Sequence, residues 1–121
     1  MPKIMTIDDS EFSRTIIKNA LRRHGYEDFV ETDNPALALP MYKKERPDVV
    51  LLDIVITPNM GGIEVLKQIR KADPHARVIM VSVMNQKEID DAAKNAGALG
   101  FVRKPIVEAD LAQAVEKALK S

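Results

Sequence analysis

Five short apolar runs, each followed by a longer amphipathic stretch, constrain this chain more than any other feature. The runs Lys3 to Ile7, Asp28 to Thr32, Val49 to Asp53, Arg77 to Ser82 and Gly100 to Val102 have the length and residue types of strands. Val49-Val50-Leu51-Leu52, Val78-Ile79-Met80-Val81 and Ile4-Met5-Thr6-Ile7 are nearly all apolar, as strands covered by helices on both faces must be. The repeated strand-then-helix pattern predicts an α/β fold, a doubly wound parallel sheet.

The intervening segments carry helix start and stop signals. The first is expected to begin at Asp9 or Ser10 as its cap, to bury Phe12, Ile16, Ala20 and Leu21, and to stop at Gly25 after the basic turn Arg22-Arg23-His24. Asn34-Pro35 opens the second, and Pro40 inside it predicts a kink or a short, distorted element. The third runs from about Gly62 to Ala72, closed by Asp73-Pro74. The fourth, Lys87 to Ala96 with Gly97 as its stop, offers the core only Ile89 and alanines, so weak anchoring is expected. The last, Glu108 to Lys120, presents Leu111, Val115, Ala118 and Leu119 at helical spacing.

Composition narrows the function classes. At 121 residues with 45% hydrophobic content, the chain suits one domain with one ordinary core, spanning residues 1–121. Lys+Arg 18 against Asp+Glu 18 leaves a formal net charge of +0, which gives no reason to expect direct nucleic-acid or membrane binding. The absence of cysteine excludes disulfides, thiolate metal sites and thiol catalysis. No run reaches the roughly 20 apolar residues of a membrane span, and Met1-Pro2-Lys3 leads straight into a strand; a soluble, cytoplasmic, unprocessed chain is expected.

In a doubly wound sheet, ligands bind beyond the carboxyl ends of the strands. Here the first strand ends at Asp8-Asp9, the third at Asp53 and the fourth at Ser82, and the fifth is followed by Lys104-Pro105. Each residue alone has an ordinary reading: Asp8-Asp9 as helix caps, Asp53 as a turn former, Ser82 as a cap, Lys104 as a solvated lysine. Chance would seldom place all of them after four strands of one sheet. Two unit charges about 4 Å apart cost about 4 kcal/mol at an effective dielectric of about 20, so three converging carboxylates call for a cation. Oxygen ligands without histidine or cysteine favour Mg²⁺. Lys104 and Ser82 suit the oxygens of a phosphoryl group. His24 and His75 sit in helix-end and loop contexts and are expected at the surface.

With these residues the chain resembles the receiver domain of two-component response regulators, nearest in length to the free-standing chemotaxis type. The resemblance covers essentially the whole chain and rests on Asp8-Asp9, Asp53, Pro58 and Gly62, Ser82, Ala96-Gly97-Ala98 and Phe101-Val102-Arg103-Lys104-Pro105. It implies a flavodoxin-like sheet of strand order 2-1-3-4-5 with helices on both faces. It further implies that Asp53 is the phosphoacceptor and that Asp8, Asp9, a carboxylate oxygen of Asp53 and the backbone carbonyl of Val55 hold Mg²⁺. Lys104 and Ser82 would grip the phosphoryl oxygens, Ser82 and Phe101 would form the switch, and the Lys104-Pro105 bond would be cis. The implied partners are a sensor histidine kinase and a downstream protein that reads the face of helix four, strand five and helix five. A monomer or weak phosphorylation-dependent dimer is expected, and no enzyme beyond assistance to its own phosphorylation and dephosphorylation.

The chain departs from the family pattern in places: Ile54-Val55-Ile56-Thr57 makes the loop before Pro58 one residue longer, Gly61-Gly62 replaces Asp-Gly, Phe101 lacks the tyrosine hydroxyl and Val83 is bulkier than usual. Three rival functions compete. An aspartate-nucleophile hydrolase would carry a second acid at the place of Val55 and a cap domain. A flavodoxin-like cofactor binder would need a Ser/Thr/Gly-rich phosphate loop where Asp8-Asp9 stands. A degenerate receiver would act as a phosphorylation-independent interaction module.

Overall fold

A computed structural model describes residues 1–54, 61–83 and 87–121. Strands and helices alternate: β1 (Lys3–Ile7), α1 (Glu11–Arg22), β2 (Asp28–Thr32), α2 (Pro35–Glu45), β3 (Val49–Asp53), α3 (Gly62–Ala72), β4 (Val78–Ser82), α4 (Lys87–Asn95), β5 (Gly100–Arg103) and α5 (Glu108–Leu119). All pairings are parallel and the order is β2-β1-β3-β4-β5, as expected of a doubly wound sheet. The fold is flavodoxin-like. Every residue of β3 and β4 is buried, which is why those segments carry no polar alternation.

The two-residue period of the strands divides the core into two layers. Met5, Ile7, Val50, Leu52, Val78 and Met80 face Ala38 and Tyr42 of α2, Val65, Leu66 and Ile69 of α3, and Ala93 of α4. Ile4, Val49, Leu51, Ile79, Val81 and Val102 face Ile17, Ala20 and Leu21 of α1 and Leu111, Val115 and Ala118 of α5. The reach of α4 into its layer is Ala93 with part-buried Ile89, in keeping with the weak apolar face read from its sequence.

Three helix expectations need correction. Ser10 caps α1, its side chain accepting from Ser13 N–H at 3.2 Å, but the buried stripe runs through Ile17, Ala20 and Leu21. Ile16 is only part-buried and Phe12 is 75% exposed. Phe12 and Ile16 are four residues apart and so share a flank of the helix one residue round from that stripe. α2 runs unbroken for 11 residues through Pro40. Pro40 and Ala36 are both exposed, so solvent can satisfy the carbonyl that the missing N–H would have paired. α4 ends at Asn95 and Leu119 of α5 is part-buried, while β5 extends to Arg103 and β4 begins at Val78.

Candidate phosphoryl site at the carboxyl edge of the sheet

Strand register builds the site. Ile7 pairs with Leu52, so the residues that follow, Asp8 and Asp53, leave adjacent strands side by side. Asp53 pairs with Val81, which places Ser82 just beyond it, and Ser82 pairs with Arg103, so Lys104 comes next at the same edge. Backbone bonds hold this row: Asp8 N–H to Thr32 O at 3.2 Å, Ile54 N–H to Val81 O at 2.9 Å and Lys104 N–H to Ser82 O at 2.7 Å. The Lys104-Pro105 bond is cis, as the resemblance implies.

Asp8, Asp53 and Ser82 are buried at this edge and Asp9 is exposed. One carboxylate oxygen from each of Asp8, Asp9 and Asp53 falls within 4.8 Å of the others. Lys104 Nζ reaches two of the three, donating to Asp8 Oδ2 at 3.0 Å and to Asp53 Oδ2 at 3.3 Å. Burial acts to lower the Lys104 pKa, but the hydrogen bond to Asp8 and the charges of Asp53 and Asp8 outweigh it, and the ammonium is held above its ordinary value. Asp8 is fixed twice more: Oδ1 accepts from Ser10 N–H at 2.9 Å, and its carbonyl accepts from Arg14 Nη1 at 2.6 Å. Arg14 is itself anchored by Glu31 of β2. An all-oxygen set with net negative charge fits a hard divalent cation of the Mg²⁺ kind, so the residues present suit that ion. The expected Val55 carbonyl lies outside the described residues, with the rest of 55–60.

Gly62 sets where α3 may begin. A Cβ there would lie 2.2 Å from the Asp53 carbonyl oxygen, so only glycine lets the helix start against the end of β3. Gly62 N–H also donates to Ile54 O at 2.9 Å. Of the Gly61-Gly62 pair, the second residue therefore carries the constraint.

Arg103 stands between Ser82 and Phe101, the two residues expected to form the switch. Ser82 Oγ accepts from Arg103 Nη1 at 2.6 Å. The same guanidinium pairs with Asp90 of α4, at 2.5 Å from Nη2 and 3.3 Å from Nη1, and lies 5.4 Å from the Phe101 ring centroid. Lys94 of α4 approaches the same ring at 6.0 Å. Arg103 and Asp90 were not among the expected site residues. Arg103 precedes Lys104 in sequence, but nothing in residue spacing pairs it with Asp90, 13 positions away. His24 and His75 are exposed as expected, His24 sharing Glu108 with Arg23.

A doubly wound sheet with an acidic cluster, a lysine and a hydroxyl at its carboxyl edge defines a signal-receiver fold. The chain belongs to the response regulator receiver domain family, whose sequence pattern matches residues 4–116, and is thus a phosphorylation-dependent signalling switch of the two-component and chemotaxis type. It is 39% identical over 117 residues to the chemotaxis protein CheY of Bacillus subtilis, covering 97% of each chain. It is 36% identical over 117 residues to the sporulation initiation phosphotransferase F of the same organism, covering 97% of this chain and 93% of that one. The crystal structure of the receiver domain of NtrX from Brucella abortus superposes with a TM-score of 0.90 at 28% identity, covering 98% of each chain.

Proposed function

We propose that Asp53 is the phosphoacceptor, and that Asp8 and Asp9 with Asp53 hold the Mg²⁺ that accompanies transfer. The observation that carries this is Lys104 Nζ bridging Asp8 and Asp53 beside a third converging carboxylate. A carboxylate oxygen of Asp53 attacks the phosphorus of the donor. The bond from phosphorus to the imidazole nitrogen of a kinase phosphohistidine, or to the leaving oxygen of a small acyl phosphate, breaks as the leaving atom keeps the electron pair. Asp53 becomes an acyl phosphate. Mg²⁺ bound there would supply positive charge and a coordination position for a phosphoryl oxygen. Lys104 offers the same oxygens an ammonium held protonated by its carboxylate neighbours, and Ser82 offers a hydroxyl donor. Loss of phosphate is attack by water on the same phosphorus, returning the Asp53 carboxylate and inorganic phosphate. The chain acts on no other substrate in this reading and is no enzyme in the usual sense.

The donor partner is a sensor histidine kinase. The output is a changed face of α4, β5 and α5 that a downstream protein reads. Retention of all three carboxylates, the lysine and the hydroxyl at one edge argues against a phosphorylation-independent interaction module. Intact-protein mass spectrometry after incubation with acetyl phosphate and Mg²⁺ tests the proposal: one added phosphoryl group is expected, lost in Asp53→Asn. No addition in the parent chain would sink it.

A further inference from the structure

Among the described residues, Arg103 stands where Ser82, Asp90 and Phe101 meet. Its Nη1 is divided between Ser82 Oγ at 2.6 Å and Asp90 Oδ1 at 3.3 Å, its Nη2 pairs with Asp90 Oδ2 at 2.5 Å, and its Cζ lies over the Phe101 ring. Asp90 belongs to the first turn of α4, a helix whose grip on the core is Ala93 and part-buried Ile89. The Asp90 side chain is 13% exposed, so the α4 end of this ion pair with β5 is largely shielded from water. Ser82, on its other side, follows Val81, the residue paired with Asp53. The guanidinium thus lies one hydroxyl away from the phosphoryl site and in direct contact with the helix beyond it.

We propose that Arg103 is a positioning residue of the phosphoryl site, shared between Ser82 and Asp90, so that a phosphoryl group on Asp53 competes with Asp90 for one guanidinium and loosens α4. This rests on Asp53 being the phosphoacceptor. A phosphoryl group brings a charge of about −1.5 to −2 and three acceptor oxygens, against the single charge of Asp90. As Ser82 turns its hydroxyl proton to a phosphoryl oxygen, its Oγ still accepts from Nη1 and draws Arg103 along, lengthening the contacts to Asp90. The same displacement removes a cation from the face of Phe101, so α4 and the ring respond together. Coupling of this kind is reciprocal: if phosphorylation weakens the Asp90 pair, that pair disfavours the phosphoryl group by the same factor, and removing Asp90 must raise phosphoryl affinity.

The test uses the full chain and Mg²⁺ with beryllofluoride as the phosphoryl mimic, with affinity read by titration calorimetry. Asp90→Asn is expected to bind the mimic roughly fivefold more tightly, the lower end of ordinary site-to-site coupling. Asp91→Asn, an exposed neighbour with the same change of charge, is the control and should bind as the parent does. Arg103→Ala should bind more weakly, and in that background Asp90→Asn should have no further effect. NMR of the parent should show the α4 amides and the Arg103 side-chain nitrogens shifting on binding. An Asp90→Asn affinity equal to that of Asp91→Asn overturns the inference, as does an equal tightening with and without Arg103. If the parent binds no mimic at all, the phosphoacceptor reading fails and the inference falls with it.

Discussion

The carbonyl oxygen of Asp53 lies 2.2 Å from the point where a Cβ on Gly62 would stand. That oxygen and the Ile54 Cα, 2.7 Å from the same point, are both backbone, so neither can swing aside. Gly62→Ala should destabilise the chain by about 2–3 kcal/mol, the range of an overpacked core contact, and displace Asp53. Among the described residues Gly61→Ala meets nothing closer than 4.0 Å and should cost only about 0.5–1 kcal/mol, the loss of a favoured N-cap residue. Urea denaturation of the two variants checks the contrast, and equal midpoints would refute the contact.

Asp53→Asn keeps the shape of the side chain and removes one of three repelling carboxylates. Its stability without metal should match the parent within about 1 kcal/mol, since lost repulsion and the lost hydrogen-bonded charge pair with Lys104 oppose each other. Phosphoryl uptake from acetyl phosphate should vanish. Thermal melting beside mass spectrometry measures both; uptake at the parent rate would move the acceptor to another residue.

The raised pKa of Lys104 makes a stability statement with a definite sign. Its folded value lies above the ordinary 10.5, so the protonated form favours folding. That contribution is fully present below about pH 10 and is lost as pH rises through the folded value above 10.5. Lys104→Met removes it. Between about pH 10 and 12 the parent should therefore lose stability more steeply than Lys104→Met, as followed by urea denaturation at successive pH values. Parallel curves would show that the lysine gains nothing from Asp8 and Asp53.

Thr6 is fully buried between Met5 and Ile7 in β1, and its Oγ1 has no hydrogen-bond partner among the described residues. It shares the sheet face of Ile4, toward α1 and α5. A buried hydroxyl without a partner is costly, and valine has nearly the same shape. Thr6→Val should stabilise the chain by about 1 kcal/mol and leave phosphoryl uptake unchanged. Destabilisation on thermal melting would mean that the hydroxyl is satisfied in solution.

The strands and the site were legible in the sequence for one physical reason. A strand buried on both faces must be apolar throughout, so the first polar residue after each run marks the sheet edge. Asp8, Asp53 and Ser82 stand out in this way, and Lys104 follows the last run. Helix existence was equally plain from the caps Ser10 and Asn34 and from the stop at Gly97, whose φ is 103°. The rotational phase of α1 was not. Phe12-Ile16 and Ile17-Leu21 are both apolar pairs at four-residue spacing, and each satisfies helical periodicity. Which stripe is buried depends on α5 and the sheet face beneath, partners far away in sequence. The same holds for the contact of Gly62 with Asp53 and for Arg103 between Ser82 and Asp90. Periodicity and capping are local and written in neighbouring residues, so the sequence determined the elements and the polar groups at their ends. Charge pairs and close approaches arise only when the parallel register brings distant strands and helices to one edge, and those the tertiary structure decided.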